Sequence, residues 1–290
     1  MYTLAQSSLI RGSAGDPIKT PWAALEQKGI VFRRGQLCLI CAGPGTGKSA
    51  LVLAEAIESG LPTVMFSADS DAFTQLSRAI SMVCDLPMSV SEEMAREKEL
   101  PEDIVEQLSG ISLRIDYDAA PTIDLMEEIV EAHWELHGEY PAIIVVDNIR
   151  NVRMDIQATS DNQFAGLEGL MEYLHGMARE TGAWIAALHH VNADHNNGNQ
   201  PIPLNGVKGQ ITGIPEVVLT LFKKPLDEDT HILCVSAVKN RGGKYDSTGQ
   251  TYAELEFNGS LMHISDVSGP EVSENDWDEH RREFEEMMLT

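Results

Sequence analysis

The chain has 290 residues, of which 43% are hydrophobic and 23% charged, a composition typical of a folded globular protein and not of a disordered or fibrous one. Four Cys residues are too few for a disulfide framework, no apolar run approaches the roughly 20 residues of a membrane helix, and the first residues lack the pattern of a secretory signal. We therefore expect a cytoplasmic protein that does not enter a membrane.

The net charge of −24 arises from 45 acidic and 21 basic residues, and a surface this acidic normally repels nucleic acid. The acidic residues are concentrated, however, with 16 acidic and three basic residues in 85–139 and eight acidic and two basic residues in 269–290. The charge therefore argues against tight DNA binding by a single subunit. It does not argue against binding by a ring that collects a few basic loops in its channel.

Strand-like and helix-like segments alternate over most of the chain, as in crossover connections around a mainly parallel sheet. In this part we predict strands at 36–41, 63–67, 111–115, 142–147 and 183–188, and helices at 49–59, 73–83, 121–137 and 164–177. From about residue 217 the pattern changes to strands alone, at 217–222, 231–238, 252–257 and 261–264, with a hairpin turn at Asn258-Gly259. The prediction is an α/β fold with an antiparallel extension at one sheet edge.

We expect one wound domain over residues 21–266, preceded by an N-terminal arm (1–20) and followed by an acidic C-terminal tail (267–290). In the tail, Trp277, Phe284 and Met288 are spaced to share one helix face among acidic residues. That face would suit docking on a basic replication or recombination protein, or shielding of a channel. A solvated end without a function is the alternative.

A glycine-rich turn, Ala42-Gly43-Pro44-Gly45-Thr46-Gly47-Lys48-Ser49, connects the first predicted strand to the first predicted helix. Small residues allow successive backbone N–H groups to point at phosphate oxygens, and the helix adds its positive N-terminal end. In this phosphate-binding loop (P-loop), Lys48 is expected to reach the β- and γ-phosphates of ATP, and the Ser49 hydroxyl to bind Mg²⁺. Ala42 replaces the Gly of the strict motif, which is tolerated because this residue ends the strand.

Acidic residues at the ends of two other predicted strands are candidates for the metal and water sites. Asp147 closes the most hydrophobic strand and would help to position the metal, with helix capping as the alternative. Asp69 follows the strand 63–67 and is our candidate for the base that orients water, with Asp71 as the second candidate. For either residue, an N-cap of the next helix is the alternative.

The order of several motifs resembles the motor domain of DnaB-type hexameric replicative helicases, which belong to the RecA-like ATPases. The resemblance is carried by the P-loop and by the segments 64–69 (Val-Met-Phe-Ser-Ala-Asp), 143–147 (Ile-Ile-Val-Val-Asp), 186–190 (Ala-Ala-Leu-His-His), 206–221 and 238–241 (Val-Lys-Asn-Arg). It covers about residues 15–265 and implies a RecA-like core, a hexameric ring and ATP bound between neighbouring subunits.

The resemblance also implies roles for single residues. Asp69 stands where the family has a catalytic Glu, and His190 where it usually has a Gln that senses the γ-phosphate. Lys239 and Arg241 fall on the element that reaches into the site of the adjacent subunit. Arg241 suits this role chemically as well, since a guanidinium stabilises charge on a transferring phosphoryl group. The alternative is an exposed basic pair that protects a sheet edge.

Two departures from the family affect the expected activity. Asp69 is one methylene shorter than Glu, so it would hold the attacking water less well, and we predict slow turnover. Only about 35 residues precede the first predicted core strand, so we expect a stand-alone core without the helicase's amino-terminal domain. This organisation is similar to that of plasmid RepA-like helicases, phage motor proteins, and RecA- and RadA-like recombinases.

The resemblance places DNA-binding loops after the strands 142–147 and 183–188. The first loop, 150–162, contains Arg150 and Arg153, and the second, 192–212, contains Lys208 and Gln210. These side chains suit sequence-independent binding of the phosphates of single-stranded DNA, and because aromatic residues are missing we expect modest affinity with strong salt dependence. Flexible connections without a ligand are the alternative.

Two further groups of residues, three histidines and two cysteines, are better explained by structural roles than by metal or redox chemistry. His189, His190 and His195 lie at a strand end and in a loop, which provides no fixed tetrahedral geometry for a metal. Cys38 and Cys41 have the spacing of a redox motif, but they occupy the strand before the P-loop, where core packing accounts for them better.

The leading hypothesis is therefore a P-loop ATP hydrolase, a Mg²⁺-dependent helicase-type motor that acts on single-stranded DNA as a ring in DNA replication or recombination. A recombinase that forms open filaments on DNA is an alternative with the same fold. A nucleotide-controlled loading or regulatory module with little hydrolysis is a different class, favoured by Asp69 and by the acidic surface.

Overall fold

The computed structural model describes residues 15–97, 100–154, 165–209 and 211–267. The strands in these ranges are β1 (Leu37–Ala42), β2 (Thr63–Ser67), β3 (Leu113–Asp116), β4 (Ile143–Asp147), β5 (Trp184–His190), β6 (Val217–Pro225), β7 (Thr230–Asn240), β8 (Ala253–Asn258) and β9 (His263–Asp266). The α-helices are α1 (Ala23–Gln27), α2 (Lys48–Glu58), α3 (Ala72–Cys84), α4 (Met88–Arg96), α5 (Glu102–Ser109), α6 (Ile123–His137) and α7 (Ala165–Thr181).

The described strands form one sheet in the order β3-β2-β4-β5-β1-β6-β7-β8-β9. The first six of these are parallel to their neighbours, whereas β7, β8 and β9 are added antiparallel at one edge. The prediction of a mainly parallel α/β sheet with an antiparallel extension is therefore confirmed.

Both faces of the parallel part are covered, which explains why β1 and β4 are buried along their whole length. Leu51 and Leu53 of α2 pack on one face, and Met126 of α6 and Leu174 of α7 pack on the other. The two Cys residues of β1, Cys38 and Cys41, lie in this core as free thiols, and burial raises the pKa of both. A thiol in such surroundings packs as a small apolar group and is a poor nucleophile.

Helices α4 and α5 fall in the acidic region, where no helix was predicted. Both are short and begin directly after a proline, Pro87 or Pro101, so each carries too few turns for a clear apolar repeat. Among the described residues no helix has the length and apolar character needed to cross a membrane. Gln210 and the tail beyond Val267 lie outside the described residues.

The sheet register brings the P-loop, Asp147 and His190 to one edge. In the parallel strands Ala42 pairs with His190, and Ser67 pairs with Asp147. The carboxyl ends of β1, β2, β4 and β5 therefore lie side by side, and we call this edge, with the P-loop, the carboxyl edge.

Candidate nucleotide-binding site

The P-loop runs from the end of β1 into the first turn of α2, which begins at Lys48. Gly47 is the N-cap, with a φ of 111° that favours glycine, and a Cβ at this position would lie 3.2 Å from the Phe257 ring. Because a glycine has no side chain to accept a hydrogen bond from the first turn, the amides of that turn are left for a ligand. Lys48 is 7% exposed and Thr46 only 1%.

Asp147, the last residue of β4, is fully buried beside the P-loop. Neither of its carboxylate oxygens makes a hydrogen bond of ordinary geometry to a described residue. Burial raises the pKa of this carboxyl, whereas the nearby Ser49 hydroxyl and the Lys48 ammonium lower it. A buried carboxylate left without a partner is costly, so the arrangement suits a cation held between Asp147 and Ser49.

Asp69 lies beside Asp147 because the β4 terminus holds the chain that follows β2. The Asp147 carbonyl oxygen accepts hydrogen bonds from the amides of Ala68 at 2.7 Å and of Asp69 at 3.1 Å. Asp69 is exposed and close enough for its charge to raise the pKa of Asp147. Asp71 instead caps α3, accepting a hydrogen bond from the Thr74 amide at 2.9 Å. The structure thus assigns Asp71 a capping role.

Arg78, on α3, is a charged member of this cluster that the sequence analysis did not identify. Its Nη1 atom is buried without a hydrogen-bond partner in the described part of the chain. Burial lowers the pKa of the guanidinium, and the charges of Asp147 and Asp69 raise it. Arg78 therefore compensates part of the negative charge at the carboxyl edge.

The two histidines at the end of β5 are held in different ways. His189 is buried, and its Nε2 atom lies 2.9 Å from the Lys208 carbonyl oxygen, an acceptor, so Nε2 carries the proton. Burial lowers the pKa of His189 to about 4. The neighbouring ring, His190, is half-buried, with its Nε2 atom 2.9 Å from Asn148 Nδ2.

The segment 195–198, part of the predicted second DNA loop, packs on the P-loop. An added Cβ at Gly43 would lie 2.5 Å from the Asn196 carbonyl oxygen, and Gly198 lies against the Thr46 side chain. The two segments of the backbone therefore approach each other closely. Lys223 of β6 secures the contact, since its amide donates to the Gly198 carbonyl at 2.7 Å. The Lys223 ammonium donates to the Gly45 carbonyl at 3.1 Å. None of these contacts follows from sequence spacing.

Lys239 and Arg241 lie near the amino-terminal ends of the parallel strands, which form the edge of the sheet opposite the carboxyl edge. Asn240 pairs with Val217 at the start of β6, and Val217 in turn pairs with Cys38 near the start of β1. The P-loop begins beyond the other end of β1, about 13 Å away along the strand. In this chain the Lys239 ammonium donates to the Thr212 and Gly213 carbonyls at 2.7 Å, and exposed Arg241 donates to Gly213 at 2.9 Å.

The described basic residues of the predicted DNA loops fall in two places. Arg150 and Lys208 flank His190, and both charges lower its pKa. Arg153 lies farther along, where its amide donates to the Pro121 carbonyl at 2.8 Å. Arg150 and Arg153 are exposed, and Lys208 is half-buried.

Comparisons with known proteins identify the family and the fold. Residues 17–265 match the model of the DnaB-like helicase C-terminal domain family. The Gene 65 protein of Mycobacterium phage L5 is 52% identical over 266 residues, which are 92% of this chain and 99% of the phage protein. Among solved structures, one ATPase domain has a TM-score of 0.72 at 15% identity, covering 87% of this chain and 91% of that domain.

A DnaB-like replicative helicase, whose structure also describes its interactions with primase, has a TM-score of 0.73 at 14% identity, covering 91% of this chain and 67% of the helicase chain. These similarities agree with the mainly parallel sheet and its flanking helices. The chain therefore belongs to the DnaB-like helicase C-terminal domain family and has a RecA-like fold.

Proposed function

We propose that this chain is an ATP-dependent DNA motor that hydrolyses ATP at subunit interfaces of a hexameric ring and binds single-stranded DNA in the channel. The observation that carries the proposal is Asp147, a fully buried carboxylate beside Lys48 and Ser49 of the P-loop. Membership of a DnaB-like helicase family supports a helicase-type ATPase.

The residues of the carboxyl edge fit ATP and Mg²⁺. The P-loop amides and Lys48 would bind the phosphates, and Ser49 and Asp147 would hold Mg²⁺. When bound there, the metal would supply positive charge against the negative charge of the phosphates. Asp69 would orient the attacking water, and His190 would donate a hydrogen bond to the γ-phosphate.

The position of Arg241 supports a site that is completed between subunits. The guanidinium lies at the sheet edge opposite its own P-loop, which supports a role at the site of another copy. Lys239 lies beside it, and burial, followed by the Arg241 charge, lowers the pKa of Lys239. In this proposal neither residue assists hydrolysis within its own subunit.

The proposal is tested by measuring ATP hydrolysis in the presence and absence of single-stranded DNA and of Mg²⁺. We expect turnover that requires Mg²⁺ and rises with DNA. A protein that neither binds nor hydrolyses ATP under these conditions would contradict it.

The basic residues beside His190 give a prediction for DNA binding. Arg150→Ala and Lys208→Ala are each expected to weaken binding to single-stranded DNA of any sequence, because a phosphate contact is lost. Each should also reduce the slope of log affinity against log salt concentration by about 0.7. Fluorescence anisotropy over a salt series measures both effects. Arg96→Ala, at an exposed position of α4, is the control, and an equal change in this variant would contradict the assignment.

The second candidate function is a nucleotide-controlled loading or regulatory module with little hydrolysis. Two observations support it. Asp69 is shorter than the Glu of the family, so its carboxylate stands farther from a bound γ-phosphate. In addition, the segment 195–198 rests on the P-loop through Asn196 and Gly198, so that binding of nucleotide would be linked to the position of this segment.

Asp69→Glu tests the assignment of Asp69 as the base that orients water. We expect turnover to rise about tenfold, because the longer side chain places the carboxylate nearer the attacking water. Steady-state ATPase assays measure the change. Asp71→Glu is the matched control and should bring no gain, since Asp71 caps α3. A decrease in turnover with Asp69→Glu would contradict the assignment of Asp69 as the base.

A further inference from the structure

The side chain of Asn148, the residue after Asp147, joins two parts of the carboxyl edge. Its Oδ1 atom accepts a hydrogen bond from the Arg150 amide at 2.9 Å, at the start of the first predicted DNA loop. Its Nδ2 atom lies 2.9 Å from Nε2 of His190. Asn148 is only 2% exposed, so water does not readily replace either hydrogen bond.

These contacts fix which atoms of His190 carry protons. A backbone N–H can only donate, so the atom of Asn148 that faces Arg150 is the oxygen, and the NH₂ group must face the imidazole. This NH₂ group can only donate, so Nε2 of His190 is the acceptor and has no proton. A neutral imidazole that accepts at Nε2 carries its proton on Nδ1. The adjacent His189 has the opposite tautomer, because it donates from Nε2 to the Lys208 carbonyl.

The surroundings of His190 favour the same neutral form. The charged and titratable groups that face the ring are Lys48 of α2, Asp69 after β2, Arg150 after β4, Lys208 before β6, and the neighbouring His189. Burial lowers the pKa of His190, Lys48 lowers it further, and Asp69 acts in the opposite direction. A protonated ring would also turn an Nε2–H toward the NH₂ group of Asn148, a contact between two donors.

We propose that Asn148 is a positioning residue that holds His190 in the Nδ1-protonated tautomer, so that the ring presents one N–H donor, at a defined atom, to the γ-phosphate. A Gln side chain, which the helicase family usually has at this position, always carries an N–H donor, whereas a histidine has one at a fixed atom only if a neighbour sets its tautomer. The role in turnover rests on the proposed function; the tautomer itself does not.

The hydrogen-bond pattern connects this donor to both predicted DNA loops. Asn148 also holds the Arg150 amide, and the Lys208 amide donates to the His190 carbonyl at 3.3 Å. A shift of the His190 ring would therefore disturb the Asn148 side chain and, through it, the hydrogen bond that positions the Arg150 amide. The pair of Asn148 and His190 gives a physical link between the nucleotide and the first predicted DNA loop.

The tautomer is tested by two-bond ¹H–¹⁵N NMR of the histidine rings in the full chain. We expect His190 to show a protonated Nδ1 and an unprotonated Nε2 at pH 7.5. Asn148→Asp keeps the size of the side chain but offers only acceptors, so the proton of His190 should move to Nε2. Asn258→Asp is the control, because Asn258 uses only its oxygen, which accepts from the Leu261 amide. A wild-type Nε2–H tautomer, or an unchanged spectrum in Asn148→Asp, would overturn the proposal.

The consequence for turnover is tested by a double-mutant cycle. Asn148→Asp should lower kcat for ATP roughly 10- to 100-fold while KM changes less than about threefold, since a donor to the γ-phosphate acts mainly in the transition state. In a His190→Gln background the same substitution should have a much smaller effect, because Gln needs no tautomer partner. Equal losses in both backgrounds would overturn the role of Asn148 while leaving ATP hydrolysis in place. A wild-type chain without ATPase activity would refute the proposed function and the role in turnover, while the NMR result would still decide the tautomer.

Discussion

Replacing Lys48 by Ala is expected to reduce ATP turnover by about 10²- to 10³-fold. Lys48 is 7% exposed at the first position of α2, and its charge acts on Asp147 at the same edge. In the proposed site this ammonium stabilises the charge that develops on the γ-phosphate, and loss of one such preorganised group costs about 3–4 kcal/mol of transition-state stabilisation. Steady-state hydrolysis with saturating single-stranded DNA measures the loss.

The matched control for this variant is Lys244→Ala. Lys244 is an exposed lysine in the turn after β7, at the sheet edge away from the P-loop, and its loss should change turnover by less than about twofold. Circular dichroism and thermal unfolding would show whether Lys48→Ala retains its fold. Turnover near the wild-type level in a folded Lys48→Ala protein would rule out the P-loop as the site of hydrolysis.

Glu55→Gln is expected to stabilise the protein at alkaline pH by roughly 3–5 kcal/mol. Glu55, on α2, is 1% exposed and lies beside the Thr20 side chain. Burial raises its pKa from 4.5 to about 8, and the Thr20 side chain offsets a little of this effect.

The direction of the pH dependence follows from this raised pKa. Between pH 4.5 and 8 the folded state keeps a proton on Glu55 that the unfolded state releases, so the free energy of unfolding falls as the pH rises through this window. Above about pH 8 the loss is complete. Glu55→Gln removes this titration, so the variant should gain most at pH 9 and little at pH 4.5.

Urea unfolding at pH 4.5 and pH 9 measures the difference for Glu55→Gln. The control is Glu58→Gln, because Glu58 is an exposed residue on the same helix and its neutralisation should change stability by less than about 0.5 kcal/mol at either pH. The same gain at both pH values in Glu55→Gln would contradict the burial of an ionisable carboxyl at this position.

Features encoded by neighbouring residues were predictable from the sequence. The P-loop consists of eight consecutive residues between a strand and a helix, and its small residues indicate a backbone that curls around a phosphate group. Asp147 could be placed because the apolar strand before it is buried on both faces and parallel strands end at a common edge. The antiparallel extension followed from strands without intervening helices.

Contacts between distant segments were not predictable in the same way. Asn148 and His190 are 42 residues apart and meet only because β4 and β5 are adjacent in the sheet. The position of the segment 195–198 on the P-loop depends on the close approach of two backbones, and no local pattern encodes it. The burial of Glu55 is equally hidden, since a charged residue on an amphipathic helix is expected on the exposed face.

Mixing two inactive variants tests whether each site combines the P-loop of one subunit with Arg241 of another. Lys48→Ala lacks the P-loop cation and Arg241→Ala lacks the guanidinium supplied to the neighbouring site, so each alone should be nearly inactive. In an equimolar mixture about one quarter of the interfaces would pair an intact P-loop with an intact Arg241. We predict ATP turnover of about one quarter of the wild-type rate for the mixture. A mixture as inactive as its components, or full activity of Arg241→Ala alone, would contradict a site shared between subunits.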